Sequence, residues 1–254
     1  MSTNTLMFTI ALNGYHWQYR KNIQSQRDYA ARHGYRYVVV DRPLLTSLGL
    51  ECAWLKIALM LEALQANYDW VLFVDADAKI QPGAPRVETL ATADKSVFIA
   101  RGYSGRINSG VLIAQQSHSA TSFFRDVLEN MEKPLPECDS VGWGENGHII
   151  HYAHHKAFIK VISSRWNNNS DPHMQDYIRH FSAGPLRALF QPAWYDRFLF
   201  FASRFLLAVG KHSGLIRNVK KLSLAQRLAG LVDQAKSHHQ EFSCPSFPTL
   251  ETGV

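Results

Sequence analysis

Apolar residues recur along this chain in two rhythms that alternate. Residues 6–12 form a nearly unbroken apolar run and predict a buried first strand. Residues 15–33 are polar with scattered apolar positions and stop at Gly34, a common helix ending. Residues 35–40 are β-branched and aromatic, which predicts a second strand. Residues 52–65 carry Trp54, Leu55, Ala58, Leu59, Leu61 and Leu64 at helical spacing. Residues 70–74 are short and wholly apolar, as a strand covered on both faces would be. Further strands are predicted at 97–100 and 111–114, a helix at 119–131, and late strands at 157–162 and 177–181.

Strands alternating with helices indicate an α/β protein with a mostly parallel sheet flanked by helices. The style changes at Gln191-Pro192. Beyond it, apolar clusters lie among arginines and residues 222–232 are again helical. The reading is therefore an α/β domain at 1–190, a basic amphipathic helical extension at 191–240 and a tail at 241–254.

Composition narrows the class. With 46% hydrophobic and 19% charged residues in 254, the chain is not a disordered protein and has room for a large core. Its three cysteines, Cys52, Cys138 and Cys244, are far apart and form no CxxC pair, which suits a reducing compartment. No run reaches the roughly 18 apolar residues of a membrane span. Residues 1–12 lack the basic start of a signal peptide. The expectation is a cytoplasmic protein, peripheral at the inner face of a membrane if the basic segment binds lipid.

The net charge of +6 is unevenly placed. Residues 187–240 hold nine Lys/Arg against two acids, while the remainder holds 18 basic and 19 acidic residues. An anionic membrane surface is a candidate partner of 191–240, beside the plainer reading of a solvated helical face packed on the core. Nucleic acid is not expected, because no aromatic–basic RNA motif or DNA-reading helix is evident.

The sharpest chemical signal is Asp75-Ala76-Asp77, directly after the apolar strand at 70–74. Ligands of open α/β sheets bind at the carboxyl ends of strands. Two carboxylates one residue apart can hold Mn²⁺ or Mg²⁺, whose remaining sites go to phosphates and water. The competing reading is a pair of solvated loop acids or helix caps.

The segment 68–77, ending in Asp75-Ala76-Asp77, resembles the DxD segment of nucleotide-sugar glycosyltransferases with the Rossmann-like GT-A fold. Other pieces agree in order. Tyr29-Ala30, His33-Gly34-Tyr35 and Tyr37-Val38-Val39-Val40-Asp41 resemble the early helix–strand step of the galactosyl/mannosyl/xylosyltransferase family. Trp54-Leu55-Lys56 is similar to that family's W-x-K helix, and Asn108-Ser109-Gly110-Val111 to its NSG strand. Ile178-Arg179-His180-Phe181 resembles the later segment whose histidine completes the metal site. The resemblance spans residues 6–185. It departs at Trp143-Gly144-Glu145-Asn146, where the family often has an acid–Gln pair, and at Gly184, one residue later than usual.

The resemblance implies a UDP- or GDP-sugar donor, a glycan or lipid-linked acceptor, and Mn²⁺ or Mg²⁺ on Asp75, Asp77 and His180. It implies donor contacts from Ala11, Asn13, Lys56, Asp75, Ala76, Arg106, Asn108, Ser109 and Gly110. For Lys56 and Arg106 an ordinary surface cation competes; for His180, a satisfied histidine at a strand end. Glu145 and Asn146 are the catalytic candidates, with Glu145 facing the anomeric carbon or binding acceptor hydroxyls, and Trp143 is an acceptor contact. The family is similar to retaining transferases. Two alternatives stay open: a non-catalytic scaffold on the same fold, and a nucleotidyltransferase, although 12–16 lacks the Gly- and basic-rich loop of the latter.

Two decoys are set aside. Residues 142–147 satisfy GxGxxG but follow no apolar strand, and no acid occurs near the ribose-binding offset. His148, His151, His154 and His155 fall at helical spacing, without HExxH or a cysteine pair, and read as a solvated or acceptor-facing helix rather than a zinc site.

Overall fold

The computed structural model describes residues 3–46, 49, 51–141, 144–214 and 222–243. Elements run in the order β1 (Thr5–Ile10), α1 (Tyr15–Gln18), α2 (Arg20–His33), β2 (Arg36–Val40), α3 (Glu51–Gln65), β3 (Trp70–Val74), β4 (Ala78–Ile80), β5 (Val97–Arg101) and β6 (Ile107–Gln115). They continue with α4 (His118–Glu129), α5 (Asn146–Ala153), β7 (Ile159–Ile162), β8 (Ile178–His180), α6 (Trp194–His212) and α7 (Leu224–His238). The predicted strands and helices all recur with small boundary shifts. Gly34 ends α2 in the left-handed conformation (φ 71°), which costs a residue without Cβ nothing.

Six strands form the central sheet in the order β2-β1-β3-β6-β5-β7. Five run the same way and β6 runs against them. The fold is thus the expected α/β arrangement of a mostly parallel sheet between helices. The reversal of β6 matters for the site. It brings the start of that strand to the carboxyl end of β3, pairing Val74 with Val111, and the Asp75 N–H donates to the Gly110 carbonyl at 2.8 Å.

Alternate side chains of each strand enter two cores, one per face. Leu6, Phe8, Val71, Phe73 and Leu112 face α3, α4 and α7. Met7, Leu72, Val74, Phe98 and Ile113 face the other side with Tyr29, Tyr35 and Trp166. Each large side chain so buried contributes about 1.5–3 kcal/mol. This is why residues 70–74 had to be apolar throughout.

The last described stretch is part of that core. Leu228, Leu231, Val232 and Ala235 of α7 are buried against α3. Phe242, which the sequence reading placed in a tail, is fully buried, edge-on to Phe8 at 5.2 Å. The basic segment also divides. Arg227 pairs with Glu51 and Lys236 with Glu62 (2.6 Å), both acids lying on α3. Lys220, Lys221 and Arg217 lie outside the described residues, as does Cys244. No described helix is long and apolar enough to cross a membrane.

Candidate active site

Three short elements meet at the carboxyl end of β3. The chain turns there through Asp75-Ala76-Asp77 into β4, a strand too short and too polar at Lys79 to be read from sequence. Among the described residues β4 pairs with β8 alone, setting Ala78 opposite His180, and the Phe181 N–H donates to the Asp77 carbonyl at 3.0 Å. This pairing returns a histidine, 103 residues on, to the DxD turn. His180 Nε2 lies 3.0 Å from Asp77 Oδ1 and 3.6 Å from Asp75 Oδ2. One ligand atom from each of the three lies within 4.8 Å of the others.

The geometry fits a divalent cation. Two carboxylates and one imidazole suit Mn²⁺, and Mg²⁺ less well because of the nitrogen donor. The space is also kept open. A Cβ on Gly110 would sit 2.7 Å from His180 Nδ1 and 2.9 Å from Asp75 Oδ2, so only glycine leaves the cluster intact. Burial pushes the Asp75 carboxyl up to about 6, against the pull of Lys56. Burial also opposes ionisation of Asp77, but His180 outweighs it and holds the carboxyl below its usual range. Burial would lower His180, yet Asp77 wins and raises it. These are groups that need one another's charge.

Lys56 from α3 is the second centre. Its Nζ lies 2.8 Å from Glu145 Oε1 and 3.5 Å from Asp75 Oδ1, and it donates to the Ser109 carbonyl at 3.4 Å. The side chain is buried and sits 5.0 Å from the centre of the Phe73 ring. Burial works against its charge, but Asp75 and Glu145 raise its pKa. Lys56 is therefore a buried site cation rather than a surface one.

The NSG strand is held from both sides. Ser109 Oγ donates to Glu145 Oε1 at 2.6 Å, and the Ser109 N–H donates to Asn146 Oδ1 at 2.8 Å. Asn146 Nδ2 donates to the Ile107 carbonyl at 3.2 Å. Glu145 and Ser109 are buried. Glu145, Asn146 and Ser109 thus pin β6 and position Lys56, and the Ser109 hydroxyl is already committed to Glu145. Asn108 Oδ1 accepts from the Gly110 N–H at 3.0 Å and from Asn167 Nδ2 at 2.8 Å.

Other expected site residues lie at varying remove. Ala11 and Ala76 are buried together beside Tyr19 and Ile23. Asn13 has a left-handed backbone (φ 56°), and its Oδ1 accepts from the Thr46 N–H at 2.7 Å. Arg106 sits in the exposed β5–β6 turn, where its carbonyl accepts from the Gly102 N–H; its side chain makes no ion pair among the described residues. Trp143 lies outside the described residues. His148 is buried and bonded to the Lys133 carbonyl (3.2 Å), while His151 and His154 clamp Asp139 at 2.7 and 2.9 Å. The histidine helix is a structural clamp around one aspartate.

Three residues escaped the sequence reading. Asn167, fully buried, holds His180 Nδ1 at 2.8 Å through its Oδ1. Arg187 reaches Asp77 Oδ2 at 3.5 Å and donates to the Tyr19 hydroxyl at 2.9 Å. Gln26 donates to the carbonyls of Asp75 (3.0 Å) and Ala78 (2.8 Å), tying the DxD turn to α2. None of the three carried a local signal: Gln26 is one polar residue among many in α2, and only the fold shows that it is buried.

Comparison with known proteins agrees with this geometry. Residues 5–84 match the model of the galactosyl transferase GMA12/MNN10 family. The fold is shared with a crystal structure of a glycosyltransferase involved in the glycosylation of the major capsid of PBCV-1. The TM-score is 0.59 at 12% identity, over 78% of this chain and 99% of that one. The glycosyltransferase GlyE of Streptococcus pneumoniae TIGR4 gives a TM-score of 0.44 at 13% identity, over 65% of this chain and 46% of that one. No curated protein sequence matches the chain. In sequence over residues 5–84, and in fold over most of its length, this chain is similar to glycosyltransferases.

Proposed function

We propose that the protein is a metal-dependent glycosyltransferase that moves a sugar from a UDP- or GDP-sugar to a glycan or lipid-linked acceptor. One observation carries the reading: Asp75 and Asp77 converge with His180 at the end of β3, around a space that only Gly110 leaves open. Asp75, Asp77 and His180 would hold Mn²⁺ or Mg²⁺. When bound, the ion supplies Lewis-acid neutralisation of the departing diphosphate.

The chain's own residues supply the rest. Lys56 and Arg187 flank the carboxylates with positive charge and offer partners to phosphate oxygens. Asn108 keeps its Nδ2 for a sugar hydroxyl, because its Oδ1 is engaged. Glu145 acts through Lys56 and Ser109, holding both in register. Retention of configuration is proposed on the family resemblance, with the departing phosphate taking the acceptor proton.

The test is calorimetric titration with UDP and with GDP, each with and without Mn²⁺, on the wild type and on Asp77→Ala. The expected result is metal-dependent binding of one nucleotide that vanishes in the variant. Absence of binding to either, by a folded protein, overturns the reading in favour of a non-catalytic scaffold.

A further inference from the structure

Four aromatic side chains recur along α6 at spacings of four, three and four: Trp194, Phe198, Phe201 and Phe205. Such spacing places them along one side of a helix. All four are exposed, Trp194 at 80% and Phe205 at 68%. The opposite side does the packing. Ser203 abuts Gly14, Phe200 lies 5.3 Å from the Tyr15 ring, Leu207 and Gly210 are buried, and Asp196 pairs with Arg20 at 2.8 Å. A row of apolar rings this long is unusual on a soluble surface and marks something that covers it.

The charges say what. Arg197, Arg204 and Lys211 recur every seven residues, so they line one flank of the helix between the packed and the aromatic sides. None of them pairs with a carboxylate among the described residues, whereas Arg227 and Lys236 of α7 each do. Asp196, the single acid of α6, faces inward. Rings entering a lipid interface, with unpaired cations beside them at headgroup level, are the chemistry of a helix lying on an anionic bilayer.

We propose that α6 docks this protein onto an anionic membrane surface. Trp194, Phe198, Phe201 and Phe205 enter the interface, and Arg197, Arg204 and Lys211 meet the headgroups. The inference deepens the proposed function and rests on its lipid-linked acceptor. α6 packs on α1, whose neighbour Tyr19 is bonded to Arg187 and through it lies beside Asp77. These contacts join the carboxylate cluster to the packed side of α6, opposite its aromatic row.

The experiment is vesicle co-sedimentation of the full chain at low and high salt. One set of vesicles is phosphatidylcholine alone, and the other is equal parts phosphatidylcholine and phosphatidylglycerol. The wild type is expected to pellet with the anionic vesicles and to remain in solution with the neutral ones. At about fivefold per basic side chain, the triple variant Arg197→Gln, Arg204→Gln, Lys211→Gln binds roughly a hundredfold more weakly. The triple variant Phe198→Ser, Phe201→Ser, Phe205→Ser also loses binding, while both melt like the wild type because the altered side chains are exposed. Wild-type protein that stays in solution with anionic vesicles overturns the proposal. So does a phenylalanine variant that pellets undiminished. If that variant instead converts a dimer to a monomer with no lipid binding in either form, a second copy covers the face and the membrane reading falls. Asp77→Ala is expected to pellet as the wild type does, so failure at the donor site and failure at α6 are read separately.

Discussion

Asn167 Oδ1 stands 2.8 Å from His180 Nδ1, and the amide can present only its oxygen there. Its Nδ2 donates to the Asn108 carbonyl and to Asn108 Oδ1, at 3.1 and 2.8 Å. Asn108 Oδ1 is fixed as an acceptor because the Gly110 N–H also donates to it. The imidazole must then donate from Nδ1, which turns Nε2 toward Asp75 and Asp77. Partners of this kind set a metal-bound histidine's tautomer and are worth about 10–100-fold in metal affinity. Asn167→Ala is therefore expected to weaken Mn²⁺ binding by roughly that factor, read by electron paramagnetic resonance of free Mn²⁺. Unchanged affinity would mean that His180 is oriented by the β4–β8 pairing alone.

Lys56 and Glu145 make a buried ion pair at 2.8 Å, with side-chain exposures of 8% and 4%. Removing one partner of such a pair strands the other and costs about 3–5 kcal/mol. In a chain of this size, each kcal/mol moves the melting temperature by roughly 2–4 °C. Lys56→Met is expected to lower the melting temperature by about 6–20 °C on these terms. Lys56→Met with Glu145→Gln recovers much of the loss, because the stranded carboxylate is gone. A single variant melting with the wild type would show that water reaches Glu145.

Glu88 ties the start of β1 to Tyr35, the residue just before β2. It accepts from Thr3 (2.6 Å) and Thr5 (3.1 Å), and from the Tyr35 hydroxyl. Burial opposes its charge, but these donors and Arg86 outweigh it and bring the carboxyl down to about 2. A depressed carboxyl stabilises the fold above its ordinary pKa and loses that contribution as pH falls through the folded value. The window is therefore from about pH 4.5 down to 2, and the contribution on the order of 3 kcal/mol. Thermal melts through this window should fall more steeply for the wild type than for Glu88→Gln. Parallel slopes would remove Glu88 from the acid response.

What the sequence made legible was what burial writes locally. β1, β3 and the later half of β6 are apolar on both faces because helices cover both, so each announced itself. The Asp75-Ala76-Asp77 turn was conspicuous because it ends such a strand. The direction of β6 was not expected, although five residues between β5 and β6, with Gly102 and Gly105 among them, are too few for a helical crossover. Asn167, Asn168 and Asn169 are buried, although nothing in so polar a stretch announces it. Burial of an asparagine is decided by distant partners, here Asn108, His180 and Asp176. The basic count at 187–240 could not tell paired cations from unpaired ones for the same reason. The acids that answer Arg187, Arg227 and Lys236 lie more than a hundred residues away in the chain.

Gly110 joins the fold to the candidate chemistry most directly. It sits on β6 where the Asp75 N–H reaches its carbonyl, and a Cβ there would press on His180 Nδ1 and Asp75 Oδ2. Neither neighbour can retreat easily, since His180 is tethered by Asn167 and Asp75 by its turn. Gly110→Ala is expected to cost about 1–3 kcal/mol through overpacking. It should also cut Mn²⁺-dependent nucleotide binding at least tenfold, because two of the three ligands are displaced. Gly230 in α7 has open space where a Cβ would go, so Gly230→Ala serves as the control and should be neutral or stabilising by up to about 1 kcal/mol. Melting curves and nucleotide titrations on the two variants decide the matter. If Gly110→Ala is destabilised but binds Mn²⁺ and nucleotide like the wild type, the DxD–histidine cluster is a structural knot and the metal assignment fails.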